Sequence, residues 1–350
     1  MSKRKLSRQQ RWRVEKIQAE RAARAAKRDA REDAVPAAGE LSAEQSGRVV
    51  AHFGRQLEVR PESGAEPVRC QLRANLEGLV TGDRVVWRAA HDADGQVRDG
   101  VVVARGERDS VLERPDARGQ LKPVAANIDQ ILIVFAAEPE PHANLIDRYL
   151  VAAEATGIAP VLVLNKIDLL PPGGGALGAL LARYAALDYP VVTTTIARKD
   201  GLEALQAQLA GRTSVFVGQS GVGKSSLIDR LLPDEALRIG ALSKDARKGT
   251  HTTTTARLYT FHHPTAGAMP DGGELIDSPG IREFGLTHLD ERQVAEGFIE
   301  FREHLGHCRF RDCRHRQEPG CALREAVERG AIHPERFASY RRIVDGLNES

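Results

Sequence analysis

Apolar residues fall into distinct textures along this chain, and each texture predicts different elements. Between Gly47 and about Ser110 they alternate with polar residues in short segments: Arg48–Phe53, Gln56–Val59, Val68–Leu72, Arg84–Trp87 and Gly100–Val103. Turn signals at Pro61–Gly64, Thr81–Asp83 and Asp94–Gly95 separate them. A period of two marks half-buried strands, and about five short strands in roughly sixty residues predict a small barrel of the OB type. Such barrels often bind oligonucleotides, though stacking platforms are scarce here: Phe53 and Trp87 fit the core as well as a surface.

From Ile131 onward, continuous apolar runs alternate with helical periodicity. Ile131–Phe135, Val161–Leu164, Pro190–Thr194 and Ser214–Val217 read as buried strands. Leu145–Ala155, Leu177–Ala186 and Leu202–Ala210 read as helices between them, and another follows Lys224. This is an α/β pattern with a mainly parallel sheet. The remaining C-terminal part predicts a small α-rich domain.

Composition sets the limits. The 350 residues are 41% hydrophobic, ample for more than one core. No apolar run approaches membrane-spanning length and no apolar signal segment opens the chain, so a cytoplasmic protein without a membrane partner is expected. The first 33 residues carry twelve Lys or Arg against five acids, a balance of +7 that leaves −5 for the rest of a +2 total. With few apolar residues other than alanine, this segment is expected to be a mobile tail or a helix formed on RNA phosphates. A solvated tail without a partner is the plain alternative.

The densest chemical signal is Gly218-Gln219-Ser220-Gly221-Val222-Gly223-Lys224-Ser225, which reads G-x-x-x-x-G-K-[ST]. A buried strand precedes it and a helix follows, the context a phosphate-cradling loop needs. Its glycines let backbone N–H groups face the phosphates, and the helix N-terminus adds its positive end. Lys224 is expected at the β- and γ-phosphates and Ser225 at Mg²⁺. Asp277, after the strand-like Gly273–Ile276, suits a carboxylate holding Mg²⁺ through water, with the Gly280 N–H at the γ-phosphate.

Base choice falls to Asn165-Lys166-Ile167-Asp168, directly after a strand. Guanine presents N1–H and an amine side by side, and one carboxylate accepts from both; adenine offers neither there. Asp168 is therefore the proposed selector of GTP, with Asn165 at the other base edge and the Lys166 stem over its plane. The second guanine element would fall on Val191–Thr195, which lacks the usual Ser-Ala. Between loop and Asp277 runs Lys248–Thr255, where Thr253 or Thr254 is the candidate to close on Mg²⁺, a polar loop being the alternative. Ile281 stands where many GTPases place a water-orienting glutamine, so slow intrinsic hydrolysis is expected, with help from His251 or from a macromolecular partner.

The guanine element precedes the phosphate loop, so the motif order is rotated. A parallel sheet depends on which strands are neighbours, and circular rearrangement preserves it.

Near the C-terminus stands Cys308-x4-Cys313-x-His315-x5-Cys321, with three of the four cysteines inside fourteen positions. Three thiolates and an imidazole would close a tetrahedral structural Zn²⁺ site with no position for substrate water. His304 and His307 are competing ligands. Arg309, Arg311, Arg314 and Arg316 interleave the site, which suits docking on RNA as well as simple solubility. Cys70 lies in a predicted strand and reads as a small buried apolar residue.

Together these features resemble one family, the circularly permuted GTPases that depend on the small ribosomal subunit. The resemblance rests on the rotated order, on Gly218–Ser226, on the histidine-threonine run, on Asp277-Ser278-Pro279-Gly280-Ile281-Arg282-Glu283-Phe284 and on the Cys-Cys-His-Cys spacing. It covers Gly47 to the C-terminus, with the basic tail, assigned to 1–44, outside it, and implies an RNA-binding barrel over 45–113, a GTPase domain over 114–287 and a zinc-binding domain over 288–350. It further implies a role in late maturation of the small subunit, contact with its rRNA and stimulation of hydrolysis to GDP and phosphate by that subunit. A monomer is expected. The alternatives are a GTPase of large-subunit assembly, a nucleotide-gated RNA-binding factor and a P-loop kinase, for which no acceptor or base is nominated.

Overall fold

The computed structural model describes residues 41–54, 56–72, 76, 78–92, 94–116, 119–232, 256–261, 272–277, 286 and 288–348. Almost all of the expected basic tail lies outside the described residues.

All five strands expected of the barrel are present: β1 (Gln45–Phe53), β2 (Gln56–Pro61), β3 (Val68–Leu72), β4 (Arg84–His91) and β5 (Val97–Arg105). They run in the order β1-β2-β3-β5-β4, and pairing of β1 with β4 closes the ring. Only β3 and β5 are parallel. Alternate residues point inward, so Val49, Leu57, Val59, Cys70, Val85, Trp87 and Val102 fill the interior. Trp87 is core, whereas Phe53 is 44% exposed on the barrel surface.

A hairpin that the sequence pattern did not predict follows, β6 (Val111–Pro115) with β7 (Leu121–Ala126). Next comes the α/β layer. Its strands are β8 (Gln130–Ala136), β9 (Ala159–Asn165), β10 (Val191–Thr193), β11 (Thr213–Val217), β12 (Arg257–Thr260) and β13 (Glu274–Asp277). The order is β10-β9-β8-β11-β13-β12, parallel throughout except for the β12–β13 pair. The helices are α1 (Ala143–Thr156), α2 (Gly175–Ala185), α3 (Glu203–Leu209) and α4 (Lys224–Leu231).

Alternation along β8 shows why the sheet is covered on both faces. Ile131, Ile133 and Phe135 pack with Ile146 and Leu150 of α1 and with Leu177, Leu181 and Tyr184 of α2. Leu132, Val134 and Ala136 pack with Leu205 of α3 and with Leu227 and Ile228 of α4. A strand buried on both sides is apolar on both faces, which is why Ile131–Ala136 of β8 reads as a run and not as an alternation.

Two joints tie the parts together. β12 also pairs with β1, so barrel and layer share one continuous sheet. At the other end, α5 (Glu291–Glu296), α6 (Ala322–Glu328) and α7 (Pro334–Asn348) form a C-terminal unit. The start of α5 is fixed by a capping box between Asp290 and Gln293. Phe298, Phe301, Leu323, Tyr340 and Ile343 form its core, which also takes in Val151 and Ala152 from α1. Arg336 of α7 reaches Asp147 of α1 and, at 2.6 Å, Glu300, while Tyr184 donates to Asp147 at 2.6 Å.

Candidate active site and metal centre

In an open parallel sheet, ligands bind beyond the carboxyl ends of the strands where the strand order reverses. Here the chain steps outward from β8 to β9 and β10, then returns to place β11 on the other side of β8. The carboxyl ends of β8, β9, β11 and β13 therefore share one edge, and segments leave β8, β9 and β11 there. These three begin at Ala137, Lys166 and Gly218, and β13 brings Asp277 to the same edge.

The loop between β11 and α4 turns sharply over the end of β8. Gly218 has φ +137°, and a Cβ there would sit 2.1 Å from the Val134 carbonyl oxygen, so no side chain fits. Gly223 has φ +93°, and a Cβ there would meet the Asn165 amide nitrogen at 2.5 Å. The two motifs thus touch although 53 positions separate Asn165 from Gly218 in the chain. Asn165, 2% exposed, donates from Nδ2 to the Val222 carbonyl at 2.9 Å. Lys166 donates to the carbonyls of Gly221 at 2.9 Å and of Glu138 at 2.7 Å. Lys224 turns back on its own loop, donating to the Gly218 and Gln219 carbonyls at 2.6 Å each. Ser225 and Ser226 lie in the first turn of α4, where backbone N–H groups have no partner within the helix.

Asp168 is exposed at the same edge, in the short 3-10 turn Ile167–Leu169. Two threonines that the sequence pattern did not single out as functional hold this element. Thr194, wholly buried, donates to Asn165 Oδ1 at 3.0 Å; Thr195 donates its hydroxyl to Asp168 Oδ1. Thr195 Oγ1 also accepts from the Ala197 N–H at 3.1 Å. The stretch lacking Ser-Ala therefore orients the amide and carboxylate of Asn165 and Asp168 through hydroxyls. Hydroxyl donors one and two residues after β10 were the available signal.

Asp277 ends β13, two strands from β8 on the same edge. Thr253, Thr254, His251 and Gly280 lie outside the described residues, as does Ile281.

A polar cavity of about 190 Å³ lies at the opposite end of the strands, lined in part by Arg48, Asn127, Asp129, Thr213 and Glu274. Much of its lining is tied together. Glu274 accepts from Arg48, Arg60 and Thr213, and Asp129 accepts from the Thr213 N–H at 2.7 Å. It is the joint between barrel and sheet.

The C-terminal cluster assembles as its spacing suggests. Donor atoms of Cys308, Cys313, His315 and Cys321 all lie within 4.8 Å of one another, and this cluster takes in neither His304 nor His307. His315 Nδ1 stands 3.5, 3.7 and 3.3 Å from the sulfurs of Cys308, Cys313 and Cys321. Metal bonds of about 2.3 Å to sulfur and 2.0–2.1 Å to nitrogen give a tetrahedral S···N edge of about 3.5 Å, so the donor set fits a metal ion. His315 takes φ +58° to aim its ring inward. Burial holds that imidazole below its ordinary pKa, leaving a lone pair to donate. Burial pushes the Cys313 thiol up to about 12, and a divalent cation supplies the charge that ionises such a thiol.

Known proteins agree with this geometry. The RsgA GTPase family model matches residues 105–287. The small ribosomal subunit biogenesis GTPase RsgA of Chromohalobacter salexigens is 71% identical, with 99% of each chain covered. The crystal structure of YjeQ from Thermotoga maritima has a TM-score of 0.66 at 30% identity, covering 88% of this chain and 99% of that one. YloQ, whose structure is described as a circularly permuted GTPase, has a TM-score of 0.66 at 26% identity, over 89% and 96%. A phosphate loop met by a guanine element that precedes it in the chain, a closed barrel before both and a metal-ligand cluster after them place this chain in the RsgA family of circularly permuted GTPases.

Proposed function

We propose that the protein hydrolyses GTP to GDP and phosphate during late maturation of the small ribosomal subunit, with hydrolysis stimulated by that subunit and its rRNA. One observation carries the nucleotide reading: Asn165 and Lys166 bond directly to Val222 and Gly221, so base-selecting and phosphate-binding elements form one site. The partner comes from the relatives' names.

In this reading Asp168 accepts from guanine N1–H and the amine, held by Thr195, while Asn165 takes the other edge. The backbone from Gly218 to Ser226 cradles the phosphates. Lys224 exchanges its carbonyl partners for β- and γ-oxygens, gaining charge-assisted bonds in place of neutral ones. Ser225 and Asp277 are the residues that would hold Mg²⁺, which neutralises charge on the β- and γ-phosphates when bound. Water attacks the γ-phosphorus, the bond to the bridging oxygen breaks, and GDP leaves with that oxygen. Thr253, Thr254, His251 and Gly280 complete the assignment from sequence. The cysteine-histidine cluster is assigned to structural Zn²⁺, and the divisions 1–44, 45–113, 114–287 and 288–350 to tail, RNA-binding barrel, GTPase and zinc units. The working form is a cytoplasmic monomer.

The test is phosphate release with and without purified small subunits, for wild type and Ser225→Ala. Strong stimulation that the substitution abolishes is the expected outcome. Unstimulated but guanine-specific turnover would remove the ribosomal role and leave the GTPase.

A further inference from the structure

Strand register carries the barrel to the edge of the nucleotide site. Ala51 of β1 lies opposite Arg257 of β12, and Arg257 lies opposite Asp277 of β13. One row thus crosses the joint and ends at Asp277, the carboxylate assigned to Mg²⁺. Two strand spacings, about 10 Å, separate its ends.

Three barrel side chains fix β12 along its length. Thr81, 1% exposed, donates its hydroxyl to the Ala256 carbonyl at 2.9 Å. Glu58 pairs with Arg257 at 3.1 Å. Arg60 donates to Thr260 and pairs with Glu274 at the far end of β13. The turn carrying Thr81 is itself anchored. The Ala126 N–H donates to the Thr81 carbonyl at 3.0 Å and Asn127 Nδ2 to the Gly82 carbonyl at 2.9 Å. A side chain at Gly82 would meet the Ala126 oxygen at 2.1 Å. β12 has four residues, too few to hold a position by their own pairing preference, so its place is set by what grips it.

We infer that Thr81 and Glu58 are positioning residues for the phosphate side of the nucleotide site, acting through β12 on Asp277; this rests on the nucleotide reading above. Asn165 ends β9 and Asp168 follows it, on the far side of β8 and β11 from β13, and they do not share this support. Loosening the barrel's hold therefore weakens GTP, whose γ-phosphate and Mg²⁺ involve Asp277, more than it weakens GDP. The two effects are one coupling free energy between barrel and site.

Full-length wild type, Thr81→Val, Thr81→Ser and Glu58→Gln are titrated with fluorescent GDP and with a non-hydrolysable GTP analogue in Mg²⁺. Thr81→Val lowers the analogue-to-GDP affinity ratio by about fivefold or more, the scale of an ordinary coupling. Thr81→Ser keeps the hydroxyl and restores the ratio to within about twofold of wild type on the same scale. A merely structural role would weaken both nucleotides equally. An unchanged ratio in a folded Thr81→Val protein, or a serine variant that behaves as valine does, overturns the inference. If Thr81→Val does not fold, Glu58→Gln carries the same expectation and the same overturning result. Wild type that bound no guanine nucleotide would overturn the proposed function itself, and is read first.

Discussion

Asp168 is exposed, yet its carboxylate is not free to rotate, because the buried Thr195 hydroxyl holds one oxygen. An exposed, oriented acceptor is what a base edge needs: it can be reached, and it loses little entropy on binding. Asp168→Asn presents an amide N–H to the guanine amine, donor against donor, whereas xanthine carries a carbonyl there. GTP affinity is expected to fall on the order of 100-fold or more while XTP gains, since a site built around hydrogen bonds rejects the wrong partner strongly. Competition between the two nucleotides measures it; unchanged preference for GTP would remove Asp168 from base recognition. Gly223 makes a second expectation. Gly223→Ala puts a Cβ against Asn165 at φ +93°, where an L-residue costs about 1–2 kcal/mol before any clash. Nucleotide binding should be lost together with a lowered melting temperature. The loop and guanine motifs were legible because their residue types are dictated by chemistry. Thr194 and Thr195 were not, since a threonine after a strand more often merely caps or solvates it.

At the scale of elements, legibility followed burial. Strands covered on both faces or alternating cleanly, such as β8, β9 and β4, announce themselves by period. β12 does not: four residues gain their place from neighbours on both edges, one of them in another domain. The β6–β7 hairpin hides for another reason, having Pro115 and Pro123 within strands that are only partly buried. The turn at Thr81–Asp83 was read correctly as a turn, but its burial between barrel and layer depends on contacts no local pattern encodes. The metal-ligand loop behaves oppositely: it has little regular structure, yet its spacing shows plainly. Its metal can be tested by thiol counting. In native protein loaded with Zn²⁺, the three cluster thiols should react slowly with a disulfide reagent, and a chelator should release all three. Cys70, 1% exposed and with its thiol pushed up to about 12 by burial, should react only in denaturant. Three fast thiols without chelator would mean that the cluster holds no metal.

Across the whole molecule, the nucleotide edge is held from both sides. The barrel grips β12 and β13, while the C-terminal unit grips α1, the helix that follows the loop where Glu138 accepts from Lys166. Arg336 is the polar centre of that second joint, 5% exposed and 4.4 Å over the Phe298 ring. Burial alone would lower its pKa, but the Glu300 hydrogen bond and the charges of Asp147 and Glu300 raise it above the ordinary arginine value. The charge therefore stays, and with it a requirement for both carboxylates. Arg336→Met fills much of the volume but leaves two acids buried without a counter-charge. Removing one partner from such a pair costs about 3–5 kcal/mol, which should show as a lower urea midpoint. Adding Asp147→Asn and Glu300→Gln removes the stranded charges, so the triple variant should recover much of the loss. If instead Arg336→Met alone unfolds at the wild-type midpoint, the joint is held by the apolar seam of Val151, Ala152, Phe298 and Tyr340 and not by the ion cluster.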